Sequence, residues 1–109
     1  MKGDIFMISL DPTISSKIRG MRPVLILSNK DFNQCGRALV APITQGGNFE
    51  RVAGWAVTLM ASGTATQGAV VASQCRMLDL VARAGKKLEA TPDDLLEDCL
   101  AKLEAMTAR

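Results

Sequence analysis

The first 80 residues run as a series of short apolar segments, each ended by a turn-forming cluster, and only the last twenty carry a helical stripe. Segments of that length, β-branched and bounded by Gly, Pro, Asn, Asp and Ser, read as strands. They fall at 4–10, 23–28, 37–44, 55–59, 69–72 and 77–80. Asp11-Pro12-Thr13 ends the first, and a long polar loop holding Ser15, Ser16, Lys17 and Arg19 follows. Loops of that length in a small domain are often functional. Residues 29–36 read as a turn region with a helical turn around Phe32, Gln45-Gly46-Gly47-Asn48 as a break, and 62–68 as a turn. At the far end, Thr91 suits an N-cap, Pro92 a first helical position, and Asp93 and Asp94 the positive end of a helix dipole. Leu96, Cys99, Leu100, Leu103 and Met106 recur at helical spacing. Many short strands followed by one helix predict a mostly β, α+β fold: a small antiparallel barrel-like sheet closed by a C-terminal helix.

The chain has 109 residues, 48% of them hydrophobic. That predicts one domain over 1–109, with a core small enough to gain from an oligomer. No apolar run is long enough to span a bilayer, and the N-terminal residues lack the pattern of a signal peptide, so the expected location is the cytoplasm. Residues 1–89 carry 11 Lys/Arg and 6 Asp/Glu, a balance of +5, whereas 90–109 carry 2 and 5, a balance of −3. A basic body with an acidic tail admits a polyanionic partner, although solvated surface charge explains it equally. Cys35, Cys75 and Cys99 form no CxxC pair and read as small buried residues in a reducing compartment. There is no histidine and no tyrosine. This excludes Ser-His-Asp and Cys-His catalysis and any His-ligated metal, and no metal-ligand or nucleotide-cofactor motif is present.

Several residues have both a chemical and a purely structural reading. Arg22 stands before Pro23 at a strand mouth, where its planar fork suits a phosphate or an ordinary ion pair. Thr44 ends a strand two residues before Gly46-Gly47, placing a hydroxyl and backbone N–H groups where a phosphate oxygen can sit, or simply closing a turn. Lys17 and Arg19 offer charge from the long loop. Trp55 can stack on a base or pack in a core or between subunits. Ser73 and Gln74 can reach base edges or bond within a turn. Arg76, Asp79 and Arg83 suit an internal salt-bridge network.

Taken together, these stretches resemble the MazF/PemK/Kid family of toxin endoribonucleases over about residues 2–105. The matching pieces are Gly3-Asp4-Ile5, Asp11-Pro12-Thr13, Gly20, Arg22-Pro23-Val24-Leu25, Phe32-Asn33, the run from Ala41-Pro42-Ile43-Thr44 through Gln45-Gly46-Gly47-Asn48-Phe49, Ala53-Gly54-Trp55, Gly68, Gln74, Arg76, Asp79 and Ala82-Arg83. The PITQGGNF and QxRMxDLxAR stretches are most similar to the ChpB and Kid branches. The resemblance implies an SH3-like barrel with a C-terminal helix, acting as a homodimer. It implies a cytoplasmic toxin of a type II toxin–antitoxin pair that cleaves single-stranded mRNA at specific sequences without metal or cofactor, and a cognate antitoxin that blocks the RNA groove. By position, Arg22 and Thr44 match the family's catalytic pair.

Two departures stand out. The first long loop reads Ile14-Ser15-Ser16-Lys17-Ile18-Arg19 where relatives often carry Gly-Ser/His-Glu-Gln, and Val71 and Ser73 stand where the Kid branch has Arg and Asp. Two alternatives follow: a homologue that binds RNA or antitoxin with impaired catalysis, or a CcdB-like toxin that binds gyrase. The chain lacks the Trp-Gly-Ile ending associated with the latter. Base recognition is expected from Gln45, Asn48, Trp55, Ser73 and Gln74, and phosphate contacts from Lys17 and Arg19. Replacing both charges by alanine should weaken binding of a non-cleavable RNA and flatten its salt dependence by roughly 0.7 per lost contact in log–log slope, leaving the cleaved sequence unchanged. Binding titrations at several salt concentrations check this, and identical slopes would make the loop a bystander.

Overall fold

The computed structural model describes residues 2–9, 21–45, 54–60 and 62–108. The expected stop at Asp11-Pro12-Thr13, the loop carrying Lys17 and Arg19, and the Gly46-Gly47-Asn48 break lie outside these residues. Seven strands and two helices follow in order: β1 (Asp4–Ser9), β2 (Met21–Ile26), α1 (Lys30–Asn33), β3 (Arg37–Thr44), β4 (Ala56–Thr58), β5 (Ala69–Val71), β6 (Arg76–Asp79), β7 (Lys86–Ala90) and α2 (Asp93–Thr107). Every pairing is antiparallel. The strand order is β4-β5-β3-β2-β1-β7, with β6 also paired to β3.

The expected antiparallel sheet with a C-terminal helix is therefore observed, and among the described residues its ladder does not close into a barrel. β4 and β7 stand at its two ends. A side chain bridges them. The Glu89 carboxylate on β7 accepts from the backbone N–H groups of Ala65 at 3.0 Å and Thr66 at 2.7 Å, and from the Thr66 hydroxyl at 2.6 Å. Both partners lie in the loop between β4 and β5, so one carboxylate ties the two ends of the sheet together.

β2 and β3 form the centre. Leu25, Leu27, Ala41 and Ile43 face one core with Ile5, Val57, Leu59, Val70 and the α2 residues Leu95, Leu96 and Cys99. Val24, Ile26, Ala38 and Val40 face a second core with Ile8, Leu78 and Leu80. Alternate side chains point to opposite faces of a strand. A strand buried on both faces therefore reads as a continuous apolar run, as 24–27 and 38–43 do.

Three expectations need correction. β7, with the sequence Lys-Lys-Leu-Glu-Ala, has no apolar alternation and escapes a sequence reading. It is an edge strand, mostly exposed, that leaves the β1 register by a bulge at Ile5/Phe6. α2 begins one residue later than its capping signals imply: Pro92 is the N-cap, without a side-chain bond. Thr91 instead donates its hydroxyl to the Gly3 carbonyl at 2.7 Å, beside its own N–H at 2.9 Å. This pins the entry of α2 to β1. The anticipated Arg76–Asp79–Arg83 network is replaced by backbone bonds. Asp79 accepts from the N–H groups of Val81 and Ala82, and Arg83 donates to the Ser9 carbonyl. Among the cysteines, Cys99 is buried, Cys75 half-buried and Cys35 exposed. Burial pushes the Cys99 thiol up to about 12, with the neighbouring Asp98 adding to the effect.

The Glu89 carboxyl is held below its ordinary value, first by the Thr66 hydroxyl and then by the two backbone N–H groups. A lowered carboxyl contributes stability that is present above the ordinary glutamate range and is lost as pH falls through the lowered value. Glu89→Gln should therefore cost about 1 kcal/mol at neutral pH, below the usual range for bonds to a charged group because solvent screens this one. Below pH 4.5, the ordinary value for the group, melting curves of wild type and variant should converge; a constant offset would refute the assignment.

Candidate active site

The β2–β3 register pairs Val24 with Pro42, Leu25 with Ala41 and Ile26 with Val40. The pairing ends at Val24 and Pro42, and two residues beyond it on the two strands stand Arg22 and Thr44. Both are exposed and lie on the strand faces that carry Val24, Ile26 and Val40, where the second core runs out into solvent. A cavity of about 520 Å³ opens there, walled by Arg22, Pro23, Ile43, Thr44, Gln45 and Gln67. The two residues singled out for chemistry, 22 positions apart in the chain, thus share one cleft with Gln45.

Pro23 is the third residue of β2 rather than the first. It pairs with Met7 near the strand start, and its restricted φ suits extended backbone next to Arg22. On the other side, Thr44 pairs with Ala69. The residue before Ala69 is Gly68, with φ +118°. A side-chain carbon there would collide with the Thr44 carbonyl and crowd Gln45. Only glycine tolerates both the backbone angle and the approach. Its carbonyl also accepts from the Leu59 N–H at 2.9 Å, which closes the base of the β4–β5 loop.

The remaining candidates separate. Trp55 is half-buried before β4, and its carbonyl accepts from the Ala72 N–H at 3.0 Å. Ser73 and Gln74 are exposed in the 3₁₀ turn Ala72–Gln74 that follows β5. These three neighbour one another at the end of β5 away from Thr44, two residues or about 7 Å further along the strand. None of them walls the cavity. Lys17, Arg19 and Asn48 lie outside the described residues. Val71, at the position of the Kid-branch arginine, is buried in β5. Among the described residues no three His, Cys, Asp or Glu side chains gather as a metal-ligand set.

The sequence reading passed over Gln67, which it treated as part of a turn, and Glu89, which it did not assign. The single hint was Gly68 standing directly before an apolar triplet, the pattern of a close backbone approach. Gly68→Ala should shift Thr44 and Gln45 and reduce any activity of the cleft at least tenfold. A thermal melt and an activity assay on the same sample check it. Loss of stability without loss of activity would contradict the coupling.

Residues 1–107 match the family described as PemK-like, MazF-like toxin of type II toxin-antitoxin system. The chain is 42% identical over 106 residues to endoribonuclease PemK of Escherichia coli, covering 96% of this chain and 80% of that protein. It is 43% identical over 106 residues to endoribonuclease toxin ChpB of Escherichia coli (strain K12), covering 96% and 91%. A crystal structure of MazF from Deinococcus radiodurans superposes with a TM-score of 0.79 at 28% identity, covering 95% of this chain and 92% of that one. A MazE-MazF crystal structure from the same organism gives 0.78 at 28% identity, covering 95% and 90%. With a family match along nearly its whole length and two relatives above 40% identity, this chain belongs to the PemK-like, MazF-like toxins of type II toxin–antitoxin systems.

Proposed function

We propose that the chain is a sequence-specific endoribonuclease that cleaves single-stranded mRNA without a metal, with residues 1–109 forming one catalytic domain. The observation that carries the reading is that Arg22 of β2 and Thr44 of β3, on adjacent strands, line one cavity. The nucleophile belongs to the substrate. The ribose 2′-OH attacks the adjoining phosphorus, the bond from phosphorus to the 5′ oxygen breaks, and the products are a 2′,3′-cyclic phosphate and a 5′-OH. The protein's task is then to hold the phosphate and stabilise the charge that builds on its non-bridging oxygens. A guanidinium fork on one strand and a hydroxyl on the next do this from two sides, in positions set before substrate arrives. The proton lost by the 2′-OH ends on the departing 5′ oxygen, so the step consumes no group of the protein and requires no histidine nucleophile. A gyrase-binding toxin has no use for such a pair on one cleft, so the nuclease reading is preferred.

The partners that fit this reading are single-stranded RNA, a cognate antitoxin that occupies the same cleft, and a second copy of the chain. MazF appears with MazE in the related crystal structures. Phe32, Met60, Met77, Val81 and Leu88 stay exposed, apolar side chains of which a second copy would cover some. The proposed setting is the cytoplasm; among the described residues no helix is long and apolar enough to cross a membrane.

Arg22→Ala and Thr44→Ala should each lower the cleavage rate by about 10²–10³, the usual effect of deleting one preorganised donor, while the melting temperature stays near that of wild type because both side chains are exposed. Incubation with a long single-stranded RNA in EDTA, followed by mapping of 5′ ends, measures this. Cleavage that requires added magnesium, or variants that cut at the wild-type rate, would refute the mechanism.

A further inference from the structure

Gln67 stands on the cavity wall with Arg22 and Thr44, and nothing in the phosphate chemistry requires an amide there. The cleft is bordered in order by β2, which carries Arg22, by β3, which carries Thr44 and is followed by Gln45, and by the loop running into β5, which carries Gln67. β3 lies between β2 and β5 in the strand order, so the loop bearing Gln67 flanks Thr44 on the side away from Arg22. That offset suits a base adjoining the phosphate rather than the phosphate itself. Gln67 donates one side-chain N–H to the Thr64 carbonyl at 3.3 Å, which fixes the plane of the amide. Its other N–H and its carbonyl oxygen make an adjacent donor–acceptor pair, the complement of what an unstacked nucleobase presents on its edge.

The loop that carries Gln67 is tied down on both sides. Thr64 is buried, shares a hydrogen bond with Ser62 at 2.8 Å and donates to the Thr66 carbonyl at 2.9 Å. On the residue after Gln67, Gly68 meets the Thr44 backbone. On the residues before it, Ala65 and Thr66 are held by Glu89 of β7 through three bonds to one carboxylate. Glu89 is not on the cavity wall. It acts from the far end of the sheet, through the loop.

We propose that Gln67 reads the edge of a nucleobase beside the scissile phosphate, and that Glu89 is the positioning residue that holds it there through Ala65 and Thr66. The inference rests on the endoribonuclease reading. It adds that sequence choice next to the cut is made by an amide at the mouth of β5 and set from β7.

The test is a cleavage-site profile on a long single-stranded RNA in EDTA, with 5′ ends mapped for wild type, Gln67→Met, Glu89→Ala, Glu89→Asp and the Gln67→Met/Glu89→Ala double variant. Gln67→Met keeps the side chain's length and removes its hydrogen bonds. It should still cut, with the base preference at one position beside the cut reduced about tenfold or more. Glu89→Ala should relax preference at that same position. The double variant should relax it no further than Gln67→Met alone, the mark of two residues acting in series. Glu89→Asp, which retains a carboxylate, should recover part of the preference and serves as the folded comparison if the alanine variant is unstable. An unchanged profile for Gln67→Met overturns the inference while leaving the endoribonuclease reading standing. A Glu89 variant that slows all cuts uniformly, with preferences intact, overturns the positioning role. A wild-type protein that cuts no RNA overturns the endoribonuclease reading, and this inference with it.

Discussion

The pairing of β2 with β3 is the constraint on which the rest of the molecule depends. Both of its strands are apolar on both faces, with one core between the ladder and α2 and another against β1 and β6. Apolar surface removed from water on both sides gives the pair little freedom to slip, because a one-residue shift would exchange the two cores. Polar side chains can enter only where the ladder ends. Arg22 and Thr44 occupy that end. Their meeting on one cavity is therefore a by-product of a register chosen by packing.

The same economy operates at the seam. The sheet's hydrogen bonds run from β4 round to β7 and stop. Three bonds to the Glu89 carboxylate, rather than a further ladder, join the ends. The loop that this clasp secures is the one that delivers Gly68 to the backbone of Thr44. Stability and site geometry thus meet in a single loop: what closes the sheet also sets the wall of the cleft.

How legible each part was follows from which physical rule governs it. The strands at 23–28 and 37–44 were readable because continuous burial leaves a continuous apolar run. The C-terminal helix was readable because its buried residues repeat at helical spacing. Its start was misread because Thr91, a good capping residue in isolation, finds a better partner in the carbonyl of Gly3, 88 positions away. β7 was missed because an exposed edge strand has no reason to alternate. Arg22 and Thr44 were recognisable in residue type and in family pattern. Gln67 was not, since a glutamine in a polar turn carries no signal until its neighbours in space are known.

Taken alone, the sequence determined the class of fold, the order of its main strands, the terminal helix and the absence of imidazole chemistry. Each of these depends on composition or on local periodicity, which any stretch of chain expresses by itself. Only the tertiary structure decided that Arg22 and Thr44 line one cavity, that Gln67 joins them while Trp55, Ser73 and Gln74 stand apart, and that Glu89 fastens the seam. Those relations are between residues 20 or more positions apart, brought together by strand register and by one close glycine contact. Register is chosen by the burial of two cores at once, a quantity that no single segment contains.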